Sequence, residues 1–162
     1  MAGSTPLEAE IRRRITAAGP MPVGEYMALC LGEPTHGYYM TRDPLGARGD
    51  FITAPEISQM FGELIGLWMA AVWKQMGAPD HIRIVELGPG RGTLMNDALR
   101  AVQVIPGFRD ALALHLVEIS PVLRAQQEHK LSAYPVPWHA ALEEVPKGPA
   151  IVVANEFFDA LP

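Results

Sequence analysis

Three short clusters in this chain hold the residue types that could do chemistry. The first is Glu86 followed by Gly88-Pro89-Gly90-Arg91-Gly92, the second is Glu118-Ile119-Ser120, and the third is Asn155-Glu156 with Asp159 close behind. Glycines at alternate positions leave main-chain amides bare. The first permits a tight turn, the second lets a ligand meet the backbone, and the third lets the following helix lie close to the strand. A dinucleotide loop sets its last glycine at the position held here by Thr93. The alternate-glycine form, with an acidic residue just before it, suits instead a ligand bearing an amino group, a carboxylate and a cationic sulfur. Such a ligand needs anionic or carbonyl acceptors beside the amides. Glu86 supplies that environment, directly or by fixing the loop, and Glu118 is spaced to accept two ribose hydroxyls.

Each cluster sits at the end of a predicted strand. "IRIVEL" (82–87), "ALALHLVEI" (111–119) and "AIVVAN" (150–155) are short apolar runs of the kind buried in parallel sheets. A weaker run, "AYPVPW" (133–138), is demoted to a sheet edge by Pro135 and Pro137. Helices are predicted between the strands, one opening at the glycine bend and one at Ser120-Pro121. The alternation predicts an α/β fold whose ligand crevice lies beyond the C-terminal strand ends.

Ahead of the sheet, Leu7, Ile11 and Ile15 mark a helix over 7–18, and a second helix is expected over 22–31. Residues 35–56 read as ordered loop. Thr53 and Glu56 fit a capping box that opens a long helix to Met76, substantially buried, with Trp68, Met69 and Trp73 in the core. Gly62 and Gly66 in that helix either admit another backbone or are tolerated defects.

The 162 residues suit one domain. Thirteen Lys plus Arg against eighteen Asp plus Glu, a net charge of −5, argue against a nucleic-acid surface. Arg12-Arg13-Arg14 reads as a solvated helix face. The longest apolar run, "LWMAAVW", falls far short of the roughly 18 residues a membrane span needs, so no span is expected. A lone Cys30, read as buried filler, excludes an internal disulfide framework and fits a reducing interior. The histidines at 36, 81, 115, 129 and 139 show no metal-ligand spacing, so no metal site is expected, and His115 reads as a satisfied core residue. The N-terminal glutamates count against a presequence, which favours the cytoplasm, with the mitochondrial matrix as the alternative.

Five segments carry a resemblance: "HGYY" at 36–39, "GDFITAPEISQMFGE" at 49–63, "VELGPGRGTLM" at 85–95, "VEIS" at 117–120 and "ANEFFDALP" at 154–162. Together they resemble the MidA family of class I S-adenosylmethionine-dependent methyltransferases, which includes an arginine methyltransferase of mitochondrial complex I assembly. The resemblance implies a Rossmann-like class I methyltransferase fold, of which this chain would hold an N-terminal helical and lid region (1–80) and the first four strands of the S-adenosyl-L-methionine-binding domain (81–162). It implies that Gly88, Gly90 and Gly92 carry the amino-acid and ribose side of S-adenosyl-L-methionine, with Glu86 supporting the loop and Glu118 clamping the diol. Ile119 would line the adenine side, Trp138 would stack, and Thr53 would reach the crevice from the lid. With a protein arginine as acceptor, in a respiratory complex subunit for instance, Glu156 and Asp159 would orient the guanidinium and take its proton while Asn155 orients donor or acceptor. A noncatalytic assembly or scaffold protein that retains the fold is the alternative, a nucleotide-dependent oxidoreductase a weaker one. The sequence leaves homo-oligomerisation open.

Overall fold

The computed structural model describes residues 4–41, 43, 44, 46 and 49–162. Strand β1 (Ile82–Leu87) is hydrogen-bonded to parallel neighbours on both edges and buried on both faces, Ile82 and Ile84 in one apolar cluster and Val85 and Leu87 in another. The neighbours are β2 (Leu112–Val117) on one side and β4 (Ala150–Val153) on the other. Beyond β2 lies β3 (Trp138–His139), giving the order β3-β2-β1-β4 with every pairing parallel. The chain steps outward from β1 to β3 and then returns to the far side of β1. That reversal opens a crevice between the loops leaving β1 and β4, where open α/β sheets take their ligands. The register pairs Leu87 with Val117 and Glu86 with Val153, so Gly88, Glu118 and Asn155 all emerge at the same edge.

Helix α1 (Pro6–Ala18) starts at Thr5, whose hydroxyl accepts the Glu8 amide at 3.1 Å, and α2 (Val23–Gly32) follows Pro22. The short helices α3 (Tyr38–Thr41) and α4 (Ala54–Ile57) bracket the loop, and α5 (Gln59–Gln75) comes next. The expected continuous helix from 53 to 76 is therefore two helices. Ser58 is extended (φ −145°, ψ 118°) between them. The expected capping box does not form: the Thr53 hydroxyl makes no cap bond, and the Glu56 carboxylate, which would complete the box, accepts from the Thr93 hydroxyl.

Gly62 and Gly66 admit a neighbouring backbone. A Cβ on Gly66 would lie 2.6 Å from the Ala98 carbonyl oxygen and 2.8 Å from its Cα, so α5 lies directly on α6 (Thr93–Ala101). This contact turns the other side of α5 outward and corrects the burial expected there. Met69 is in the core, and Trp73 is partly buried with Nε1 donating to the Pro79 carbonyl at 2.9 Å, but Trp68 is 53% exposed. Beneath α6 the core gathers Ile84, Met95, Leu99, Phe108 and Leu116, all essentially solvent-free.

A short helix, α7 (Pro106–Ala111), leads into β2, and α8 (Pro121–Lys130) opens as expected at Ser120, whose hydroxyl accepts the Leu123 amide. β3 is only two residues long, since Pro135 and Pro137 cannot donate to a ladder. No α-helix links β3 to β4. Residues 140–149, with Pro146, Gly148 and Pro149, make only a turn at Leu142–Glu144. His115 is buried, with Nδ1 3.0 Å from Nε2 of His139, and Cys30 is only half-buried. Among the described residues no helix is long and apolar enough to cross a membrane.

Candidate functional site

The bend after β1 needs its glycines. Gly88, Gly90 and Gly92 have φ of 59°, 54° and 73°, the left-handed region that side chains disfavour. At Gly88 there is also no room: a Cβ would lie 2.5 Å from the Phe157 ring. The Gly88 amide donates to the Val117 carbonyl at 3.0 Å and the Gly92 amide to the Pro89 carbonyl at 2.8 Å, which fixes the curve. α6 then starts with no side-chain cap at Gly92, leaving its first amides and the positive end of its dipole to the bend.

Two carboxyl groups stand beside these amides. Glu86 is 3% exposed, and its Oε2 is buried with no hydrogen-bond partner among the described residues. Burial, and secondarily the nearby Glu118 charge, push its carboxyl up to about 8. A buried carboxylate oxygen left in this state costs on the order of 1–3 kcal/mol or more unless it holds a proton or meets a donor. Glu118 Oε1 accepts the Ser120 amide at 2.7 Å and Oε2 accepts from Gln127 Nε2 at 3.1 Å. Burial still holds its carboxyl above the usual range, against the lowering effect of those bonds.

Gln127 was not legible as a functional residue, yet it joins the parts. Fully buried, it donates from Nε2 to the Gly90 carbonyl at 2.7 Å as well as to Glu118, and its Oε1 accepts from Trp138 Nε1 at 2.9 Å. The available signal was an amide four residues from both Leu123 and Leu131, alone in an apolar stripe. Trp138 is thereby held away from the crevice, with the Arg124 guanidinium carbon 5.3 Å from its ring centroid.

A cavity of about 470 Å³ occupies the crevice. Of the residues singled out in the sequence, Thr53, Glu86, Gly88, Gly90, Glu118, Ile119, Asn155, Glu156 and Asp159 line it, whereas Gly92 and Trp138 do not. Gly92 instead packs against Gln127 and Leu131 at the helix start. Arg91, Tyr39 and Phe51 also line the cavity and were missed. Glu156 has φ 48°, a left-handed conformation that costs a non-glycine residue on the order of 1 kcal/mol, and it is followed by Phe157, whose ring fills the space at Gly88. Glu156 and Asp159 are exposed at the mouth. Burial and the charge of Asp159 raise the phenol of Tyr39 above its ordinary range. The cavity thus has bare amides and buried carboxyls inside and an acidic, aromatic mouth. It suits a ligand with a cationic amino-acid portion within and a cationic group at the entrance. Among the described residues no three His, Cys, Asp or Glu side chains come together as metal ligands.

Residues 64–162 match the protein family described as "Putative S-adenosyl-L-methionine-dependent methyltransferase". The chain belongs to this family. The protein named arginine methyltransferase NDUFAF7 homolog, mitochondrial, of Drosophila melanogaster is 44% identical over 184 residues, covering 99% of this chain and 41% of the relative. Human NDUFAF7, also named a mitochondrial protein arginine methyltransferase, is 40% identical over 98% of this chain and 41% of its own length. A crystal structure of a COG1565 superfamily member from Burkholderia thailandensis, bound to S-adenosyl-homocysteine, superposes with a TM-score of 0.78 at 33% identity, covering 96% of this chain and 42% of that one. The chain therefore spans about two fifths of the length of these relatives. The Rossmann-like class I methyltransferase fold and the family resemblance are borne out. The cytoplasmic expectation is overturned: the fly, human and other vertebrate relatives are all named mitochondrial. The expectation rested on the N-terminal glutamates, and neither they nor the single cysteine distinguish one reducing compartment from another.

Proposed function

We propose that this chain is the donor-binding half of an S-adenosyl-L-methionine-dependent methyltransferase which, at full length, methylates arginine on a protein substrate. A respiratory complex subunit is the candidate substrate. The observation that carries the donor reading is Glu86 Oε2, a buried acceptor without a partner beside bare amides. An amino-acid ammonium is the group that would satisfy it.

The other residues fit the same ligand. The amides of Gly90 and Arg91, in the middle of the bend, receive the carboxylate end, and each Glu118 oxygen keeps a lone pair for a ribose hydroxyl beside its bond to Ser120 or Gln127. Ile119 offers an apolar side to the adenine, while Gly92 and Trp138 act at one remove, through the helix start and through Gln127. When bound, S-adenosyl-L-methionine supplies a methyl already activated on a sulfonium. The protein therefore has to align a nitrogen with it and exclude water. Residues 1–80 supply the lid, with Thr53 on the facing wall, and 81–162 supply the cradle. Glu156 and Asp159 orient a guanidinium, which stays charged up to a pKa above about 12, and accept the proton it loses as the new N–C bond forms. Asn155 orients through its amide.

The test incubates the full-length protein with labelled S-adenosyl-L-methionine and extract of its own cells, then locates the label by mass spectrometry. A methylated arginine, lost on Glu156→Gln, is the expected result. Donor binding with no transfer to any protein would favour the noncatalytic scaffold.

A further inference from the structure

Arg91 stands between two glycines of the bend, and its side chain crosses to the opposite wall. Both Nε and Nη2 reach Asp43 Oδ2 at 2.8 Å, and Nη1 lies 3.5 Å from Glu56 Oε2. Glu56 Oε1 accepts from the Thr93 hydroxyl at 2.5 Å, and Asp43 also accepts from Gln126 Nε2 at 3.0 Å. Pro44, Gly46 and Phe51 are tied together beside the guanidinium. The Gly46 amide donates to the Phe51 carbonyl at 2.8 Å and the Phe51 amide to the Pro44 carbonyl at 3.0 Å, while Gly46 itself packs so near Arg91 that a Cβ there would overlap its Nη1. The side chains of Arg91, Asp43 and Glu56 are 26%, 21% and 17% exposed, so the pairing is better shielded than a surface ion pair. Phe51, Thr53 and Pro55, neighbours of Glu56 in the chain, face the bend across the cavity.

Resting on the donor reading above, we infer that Arg91 is a positioning residue. By gripping Asp43 and Glu56 it fastens these two residues, and the described wall residues beside them, across the glycine bend, so the far wall is held by the same loop that cradles the donor. Retention of the donor depends on that grip. Arg91 touches no reacting atom, and its effect passes through the wall it holds.

The test uses the full-length protein and two readouts. The dissociation rate of S-adenosylhomocysteine is measured by stopped flow, and the rate of chymotryptic cleavage after Phe51, which is 49% exposed, is measured without ligand. Arg91→Ala should speed dissociation about tenfold with a smaller change in association, and should raise cleavage several-fold. Arg91→Lys should recover part of both, because it keeps the charge but loses the planar fork. Asp43→Asn and Glu56→Gln should act in the same direction, with the Arg91/Asp43 double variant no worse than the worse single one. They carry the test if Arg91→Ala fails to fold. Dissociation within twofold of wild type in the folded variants overturns the inference. If the wild-type chain takes no S-adenosylhomocysteine at all, the donor reading fails, and an unchanged cleavage rate would separately overturn the fastening.

Discussion

Replacing Glu86 by Gln keeps the shape of the side chain and removes the charge that its site opposes. The folded carboxyl stands at about 8 against an ordinary 4.5, through burial first and Glu118 second. Below pH 4.5 the group is protonated whether the chain is folded or not. Between 4.5 and about 8 the unfolded chain releases the proton and the folded chain keeps it, so stability falls as pH rises, and above about 8 the whole loss is present. At about 1.4 kcal/mol per pKa unit the loss amounts to roughly 2–5 kcal/mol. Glu86→Gln should therefore change stability little near pH 4.5 and stabilise the ligand-free chain by that order at pH 8.5. Urea unfolding followed by circular dichroism across pH 5–9 reads the difference. An equal effect at both ends of the range would refute the claim that this carboxyl is uncharged in the folded, ligand-free chain. The same substitution should weaken S-adenosylhomocysteine binding at least tenfold, since an amide cannot pair with an ammonium as a carboxylate does. In the wild type, binding at pH 7 should release a proton, visible as a calorimetric enthalpy that depends on the buffer's heat of ionisation.

Gln127→Leu strands the Trp138 Nε1 and the Gly90 carbonyl, both held by that amide, and should cost about 2–4 kcal/mol in urea unfolding while weakening ligand binding. Gly66→Ala gains about 1 kcal/mol of helix propensity but drives a Cβ to 2.6 Å from the Ala98 carbonyl, so a net loss of roughly 1–3 kcal/mol is expected in thermal unfolding.

The sheet and the bend were legible because local signals agreed: apolar runs too short for helices, and glycines at alternate positions directly after one of them. Glu86, Glu118 and the Asn155–Asp159 loop followed, since strand ends in a parallel sheet come out at one edge. Non-local competition was not legible. The Thr53–Glu56 box satisfies every local rule, yet Glu56 binds Thr93, 37 residues away. Trp68 has the spacing of a core residue, but α5 meets its neighbour through Gly62 and Gly66, and a helix can turn only one face inward. Gln127 and Arg91 escaped for the same reason, because their partners Gly90 and Asp43 are 37 and 48 residues distant.

Titrating S-adenosylhomocysteine by calorimetry into this chain and into its Glu118→Ala variant tests the donor site most directly. With both folded, as near-ultraviolet circular dichroism would establish, the account predicts one-to-one binding to the parent. It predicts a loss of about 100-fold in the variant, the value of two charge-assisted bonds at roughly 1.5 kcal/mol each. No heat of binding to the parent, or equal affinity in the two, would contradict it.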